Sequence, residues 1–303
     1  MKNLKLCILF LPLLLSACGG RESAINEKGM TLMNDRQYRA AIDQFSIIIN
    51  DGTEAWAPYY NRALSYQELD MPDSAIVDFT KSITLNSSCF EAFLNRGIAY
   101  FSIRKNEEAI KDFDKAVELQ PDNAVGWYNR GNAKADSHDL DGAVDDLSQA
   151  ISLDTNYAEA YMNRGVIYKI TGKHKLAIYD FLEAINCRPD LALAHYNLGF
   201  IFYLNQDFEK AIGYCTNALK YEPALSDALV CRALSYSGSG LYEKSIQDFD
   251  EAMILIPEMP QLYYDRAMAR GRMGDRDGAC ADLEIALEKG VKEAEELIKL
   301  NCK

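Results

Sequence analysis

Ala124–Tyr157 reads AVGWYNRGNAKADSHDLDGAVDDLSQAISLDTNY, and the 34 residues that follow repeat its pattern in other letters. Trp127, Arg130, Gly131, Ala143, Leu147 and Ala150 become Tyr161, Arg164, Gly165, Ala177, Phe181 and Ala184, with Pro189 after them. One period earlier stand Phe93, Arg96, Gly97, Ala109, Phe113, Ala116 and Pro121. The register holds for units beginning at 22, 56, 90, 124, 158, 192, 226 and 260, so eight units fill residues 22–293 of 303 without a gap. A fixed period of this length means stacked units that share one core and touch only their neighbours. Such a chain presents a long surface, which points to binding before chemistry.

Each unit reads as two amphipathic helices. Apolar residues recur at three- and four-residue spacing, as in Ala109, Ile110, Phe113, Ala116 and Val117. Short polar or glycine-containing turns separate the halves, for example Thr171–Gly172–Lys173 and Gly238–Ser239–Gly240. The fourth position of each unit is bulky: Ile25, Tyr59, Phe93, Trp127, Tyr161, His195, Leu229 and Tyr263. The eighth is Gly or Ala throughout: Gly29, Ala63, Gly97, Gly131, Gly165, Gly199, Ala233 and Ala267. A small residue there predicts close helix approach. After the last unit, Ala294, Leu297, Ile298 and Leu300 keep a helical period, so residues 294–303 are expected to cap the exposed apolar end. No segment alternates like a strand.

An aromatic, a small residue four places on, then Ala, Phe, Ala and Pro at fixed offsets resemble the tetratricopeptide repeat (TPR) family. The resemblance covers 22–293 and implies an all-α, right-handed superhelical solenoid of eight helix-turn-helix units. The pattern lapses at the final proline in four units, where Thr53, Ser87, Thr155 and Val291 stand, and those turns should end their helices less sharply. In the family, positions two, five, six, nine and twelve of the first helix face the concave side. The family's clamp for a terminal carboxylate needs lysines at positions two and five, which this chain lacks, so the groove should not select a carboxylate by charge.

At the other end, Lys2 and Lys5 precede an apolar run, Leu6 to Leu15, too short to span a membrane comfortably. It closes on Leu15–Ser16–Ala17–Cys18, which resembles a bacterial lipobox. The resemblance implies a lipoprotein signal peptide over 1–17, acylation of Cys18, and a short tether over 18–21. Several acyl chains anchor stably where one would not. No acidic residue directly follows Cys18, so the expected address is the outer membrane, facing the periplasm.

Loss of Lys2 and Lys5 would take the net charge from −13 to −15. A chain this acidic offers no electrostatic footprint for nucleic acid. Besides Cys7 and Cys18, the cysteines are Cys89, Cys187, Cys215, Cys231, Cys280 and Cys302. Cys280 falls on the second helix of the last repeat and Cys302 on the cap that must pack against it, so a disulfide there would staple a frayed end. Small buried thiols are the other reading, and Cys215 takes the core Phe position of its unit. No nucleophile elbow, phosphate loop or metal-binding helix motif appears, so neither catalysis nor a cofactor is expected. His138 and His174 fall at turns, and His195 fills the bulky core position.

Comparison between units is sharper. Position seven carries Arg62, Arg96, Arg130, Arg164, Arg232 and Arg266, and position 23 carries Asp78, Asp112, Asp146, Asp180, Asp248 and Asp282. Both are missing from the same two units, where Lys28 stands with Gln44 and Leu198 with Tyr214. Co-variation suggests contact, and the pairing works only within a unit, since between units Asp180 would face Leu198 and Tyr214 would face Arg232. Position six gives Asn61, Asn95, Asn129, Asn163 and Asn197 in succession, then Cys231 and Asp265. Asn is a mediocre helix former, so the run needs a reason. Either the amides hold the backbone of an extended peptide or they bond neighbouring helices. Position five gives Tyr60, Tyr128, Tyr196 and Tyr264 in alternate units, which suits either an interface or inter-helix packing. Together these readings predict a lipid-anchored, non-enzymatic scaffold of the bacterial envelope that binds proteins or extended peptides in its groove. The alternative is a receptor there for a small molecule or envelope polymer.

Overall fold

The structure, a computed structural model, describes residues 20–302 as seventeen α-helices. The first helices of the repeats are α1 (Gly20–Asn34), α3 (Trp56–Glu68), α5 (Phe90–Ser102), α7 (Ala124–Asp136), α9 (Ala158–Ile170), α11 (Ala192–Leu204), α13 (Ser226–Gly238) and α15 (Pro260–Met273). The second helices are α2 (Tyr38–Asn50), α4 (Pro72–Leu85), α6 (Asn106–Leu119), α8 (Leu140–Leu153), α10 (His174–Cys187), α12 (Phe208–Tyr221), α14 (Tyr242–Leu255) and α16 (Arg276–Glu288), and α17 (Ala294–Asn301) is the cap. The signal segment 1–17 and Cys18 lie outside the described residues. Of the tether expected over 18–21, Gly20 and Arg21 are already the start of α1. The chain divides into two compact units, one ending at Arg164 and the other beginning at Gly165. Each is a stack of sequential helix pairs.

Repeat chemistry explains the pairing. The second helix of each repeat offers a buried side chain at position 24: Phe45, Phe79, Phe113, Leu147, Phe181, Cys215, Phe249 or Leu283. It lies against position eight of the first helix. A Cβ added to Gly97 would sit 2.6 Å from Phe113, and one added to Gly199 would sit 2.5 Å from the Cys215 sulfur. The small residue is therefore a packing requirement set by a named partner.

The turn between the two helices is the same in every repeat. Its fifteenth position adopts the left-handed conformation, with Gly172, Gly240 and Gly274 in three repeats and Arg36, Asp70, Arg104, His138 and Gln206 in the others. Non-glycine residues tolerate this geometry at a cost of roughly 1 kcal/mol.

The missing prolines do not blunt the helix ends. Helices α4 and α8, followed by Ser87 and Thr155, stop at the same repeat position as α6, α10, α12 and α14. The extended C-cap residue, such as Asn86 or Asp154, and the packing of the next first helix end the helix without proline. Only α2 and α16 stop one residue sooner, where Gly52 and Gly290 take positive φ. Residue-level differences of this size carry little weight.

At the far end of the second unit, Ala294 is fully buried, and Leu297, Ile298 and Cys302 pack against Ala267, Leu283 and Ala286. Cys280 and Cys302 are disulfide-bonded, with their Cα atoms 5.6 Å apart.

Candidate functional site

The arginines at position seven bind across the helix pair. Arg62 reaches Asp78 at 2.6 Å, Arg96 reaches Asp112 at 2.7 Å and Arg130 reaches Asp146 at 2.7 Å. In the second unit Arg232 reaches Asp248 at 2.7 Å and Arg266 reaches Asp282 at 2.6 Å. In each of the five pairs, Nε and Nη2 donate to the two carboxylate oxygens, the bidentate geometry a guanidinium is shaped for. Asp180 is fully buried, and Arg164 donates to Ser148 Oγ at 2.8 Å.

That last bond belongs to a set that sequence comparison missed. The remaining nitrogen, Nη1, donates to position 25 of the preceding repeat: Ser46, Thr80, Asp114, Ser148, Thr216 and Asp250 for Arg62, Arg96, Arg130, Arg164, Arg232 and Arg266. The arginine thus pins its own pair and the repeat before it. The signal was present, because every position 25 that meets an arginine carries a hydroxyl or a carboxylate, while the one before Leu198 is Leu182.

The asparagine run is buried. Asn61, Asn95, Asn129, Asn163 and Asn197 are all 7% exposed or less. Of the two readings of that run, the geometry supports bonding between neighbouring helices. Asn95 donates to the Tyr60 hydroxyl at 3.0 Å, and Asn163 to the Tyr128 hydroxyl at 3.1 Å and to Asn132 Oδ1 at 2.9 Å. Asn61 donates to Asn26 at 3.3 Å. Where position five of the preceding repeat is apolar in the sequence, as Leu94 and Met162 are, an amide nitrogen donates to its own helix: Asn129 to the Val125 carbonyl at 3.0 Å and Asn197 to the Leu193 carbonyl at 2.7 Å. The tyrosine hydroxyls thus draw the donated bonds of Asn95 and Asn163 across to the preceding first helix. Tyr60 and Tyr128 are buried with them, and neither is an open groove residue.

The pattern ends in the second unit. After Tyr196, position six is Cys231, and after Val230 it is Asp265. Tyr196 and Tyr264 are half-buried, and among the described residues neither hydroxyl has a hydrogen-bond partner. Around Tyr196 runs an aromatic wall along α11. Tyr196 and Phe200 have ring centres 6.2 Å apart, and Phe200 and Tyr203 have theirs 6.4 Å apart. Lys169 lies over the Phe200 ring, with its ammonium 5.4 Å from the centroid, and donates to Asn197 Oδ1. Burial holds the Lys169 ammonium below its usual range, against the pull of Asp227. Burial and then Asp227 push the Tyr196 phenol up, and burial and then Asp265 do the same for Tyr203. Burial also raises the Asp265 carboxyl, whose one hydrogen bond comes from Gln261 at 3.0 Å. Of this face, the sequence marks Tyr196, Tyr264 and Asn197 as candidate groove residues and Cys231 and Asp265 as the positions where the asparagine run breaks. Lys169, Phe200, Tyr203 and Asp227 fall at positions nine, twelve and two of their repeats, where the residue type does not recur, and Asp265 is the break in the asparagine run.

A concavity of about 600 Å³ lies beneath the cap, with Met268, Leu283, Leu297 and Leu300 as apolar walls and Arg272 and Arg276 in its lining. His195 fills its core position, and its Nε2 lies 2.9 Å from the Pro189 carbonyl oxygen, as the Trp127 indole does from Pro121.

Profiles described as tetratricopeptide repeat or TPR repeat match residues 57–89, 90–123, 131–172, 167–206 and 192–225, together more than half of the chain. The chain belongs to the tetratricopeptide repeat family. This TPR chain is 37% identical over 83 residues to the heat-shock protein cognate (HSC) co-chaperone sgt12 of Aspergillus fumigatus, a match over 27% of the chain and only 23% of that protein's length. The crystal structure of MamA is 27% identical with a TM-score of 0.50, covering 53% of this chain and 94% of MamA. The crystal structure of YrrB, titled as a TPR protein with an unusual peptide-binding site, is 20% identical with a TM-score of 0.52, covering 65% of this chain and 97% of YrrB. At that identity the likeness to YrrB is one of fold.

Proposed function

We propose that this TPR chain is a non-enzymatic, lipid-anchored scaffold of the bacterial cell envelope, binding partner proteins or extended peptides on the first-helix face of its second unit. One observation carries the binding reading. In the first unit the hydroxyls of Tyr60 and Tyr128 are taken up by Asn95 and Asn163, whereas in the second those of Tyr196 and Tyr264 have no hydrogen-bond partner among the described residues, and Tyr196 stands in a wall with Phe200 and Tyr203. Half-buried tyrosines with an available hydroxyl are favoured anchors at interfaces. The peptide-binding site named for YrrB and the co-chaperone name of sgt12 belong to those proteins, and they lend the reading a precedent in the family.

Anchoring rests on Leu15–Ser16–Ala17–Cys18. The Cys280–Cys302 disulfide supports an oxidising compartment, since such bonds are rare in the cytosol. Cross-linking in intact cells, followed by identification of the captured proteins, tests the scaffold. Fractionation of a Cys18→Ser variant tests the anchor: the protein should become soluble or stay uncut, and a processed, fully membrane-bound variant would refute anchoring through Cys18. The concavity beneath the cap favours the second reading, a receptor for a small molecule or envelope polymer, because its apolar walls and the arginines Arg272 and Arg276 suit a compact ligand.

A further inference from the structure

The break in the repeat pattern also states what kind of peptide fits. Three observations bear on it, and all rest on the binding reading above.

The first is the carboxylate of Asp265. It occupies the position where five earlier repeats carry asparagine. It is partly buried, and among the described residues no cation lies within salt-bridge distance of it. Its neighbour Arg266 cannot serve, because all three of that guanidinium's nitrogens are engaged by Asp282 and Asp250. A partly buried carboxylate without a counter-ion is a standing cost that an incoming cation removes.

The second is the aromatic wall of α11 on the same face. Tyr203 is close enough to Asp265 to feel its charge, and it closes the aromatic wall of α11. An aromatic wall and a carboxylate on one face suit a guanidinium or ammonium, which gains from a ring's negative face and from an ion pair.

The third is polarity along the face. Lys169 stands at the α9 side of the wall, over Phe200, while Asp227 and Asp265 stand on α13 and α15. Charge therefore runs from positive to negative across four successive first helices. Tyr196 sits between, its hydroxyl released by the replacement of asparagine with Cys231.

We infer that this face binds an extended peptide segment of a partner protein that carries a lysine or arginine, whose charged group pairs with Asp265 against the Tyr203 ring. Lys169 repels a basic residue at the opposite end and so sets the direction in which the segment lies. The Tyr196 hydroxyl offers a donor and an acceptor to the peptide backbone.

Two substitutions test this, each restoring the residue that five earlier repeats carry at position six. Asp265→Asn removes the charge and keeps the shape. Cys231→Asn supplies the Tyr196 hydroxyl with the amide partner that Tyr60 has in Asn95. The probe is a library of random peptides displayed on phage and selected against the full chain. Peptides that bind should be enriched in Lys or Arg. Asp265→Asn should weaken them by about tenfold, the scale of one desolvated charge contact. Cys231→Asn should weaken them less, and added salt should weaken the wild type more than Asp265→Asn. Selected peptides without basic enrichment, or equal affinity for Asp265→Asn, would overturn the inference while leaving the face as a binding site, provided Phe200→Ala and Tyr203→Ala abolish binding. Binding that survives Phe200→Ala and Tyr203→Ala, or a selection that yields no binder, would overturn the functional reading itself.

Discussion

Residues 226–259 and 192–225 are neighbouring repeats with the same backbone and opposite chemistry at the same three positions. In the first, Arg232 bridges Asp248 and Thr216. In the second, Leu198 is fully buried, and Tyr214 takes the aspartate's place, stacked on Phe202 at 5.5 Å with an interplanar angle of 4°. Leu182 takes the place of the third partner. Lys210 lies over Phe202 at 5.1 Å and forms its ion pair with Asp207 at the surface. The comparison teaches that the ionic pin is replaceable, but only as a set. A buried ion pair can give way to well-packed apolar residues at little cost, whereas removing one partner leaves an uncompensated charge.

The strongest way to break the comparison is to remove one half of the pin. Arg232→Ala leaves Asp248, which is 4% exposed, without its cation and should destabilise by about 3 kcal/mol. Asp248→Ala should lose a similar amount, and the double variant should lose less than the sum. Thermal unfolding with amide exchange across α13 and α14 would measure it, and purely additive losses would show that the pair is not coupled. The same cycle at Arg130 and Asp146 should couple less, because Lys134 also reaches Asp146 at 2.8 Å.

The reciprocal graft comes next. Leu198→Arg alone places a charge against Tyr214 and should destabilise by about 2 kcal/mol. Adding Tyr214→Asp and Leu182→Thr rebuilds the pin of the neighbouring repeat and should recover most of the loss. A triple variant no more stable than the single one would mean that the aromatic set has fixed this repeat's geometry.

A smaller effect is expected at position eight. Gly199→Ala must fit a Cβ 2.5 Å from the Cys215 sulfur and 3.2 Å from the Ala211 carbonyl, and should destabilise by about 1–2 kcal/mol. The neighbouring repeat already carries Ala233 at this position, so the penalty comes from helix spacing in residues 192–225, and unchanged stability would show that this spacing is soft.

The smallest is at the turn. Gln206 holds φ 60° where the neighbouring repeat has Gly240 at 78°. Gln206→Gly should stabilise by up to about 1 kcal/mol and Gly240→Ala should destabilise by about the same, both read as shifts in melting temperature. A destabilised Gln206→Gly would mean that the lost unfolded-state restraint outweighs the relief.

What could be read without coordinates was whatever recurs with the period. The eight helix pairs, the small residue at position eight, the arginine and aspartate of each pin, and the cysteines at the capped end all left repeated or paired marks in the chain. Each such contact is made inside one unit or between adjoining ones at a constant offset, so the period copies it. Tertiary structure alone decided the direction of the asparagines. Asn95 crosses to Tyr60 while Asn129 turns back to Val125, and the difference lies in a residue 35 positions away. It also decided that Tyr60 is buried and Tyr196 half-open, although both are the fifth residue of a first helix. Exposure depends on what the next helix places opposite a side chain, and at Cys231 and Asp265 that neighbour departs from the repeat. A period reveals shared packing, while the proposed binding face lies where the period fails.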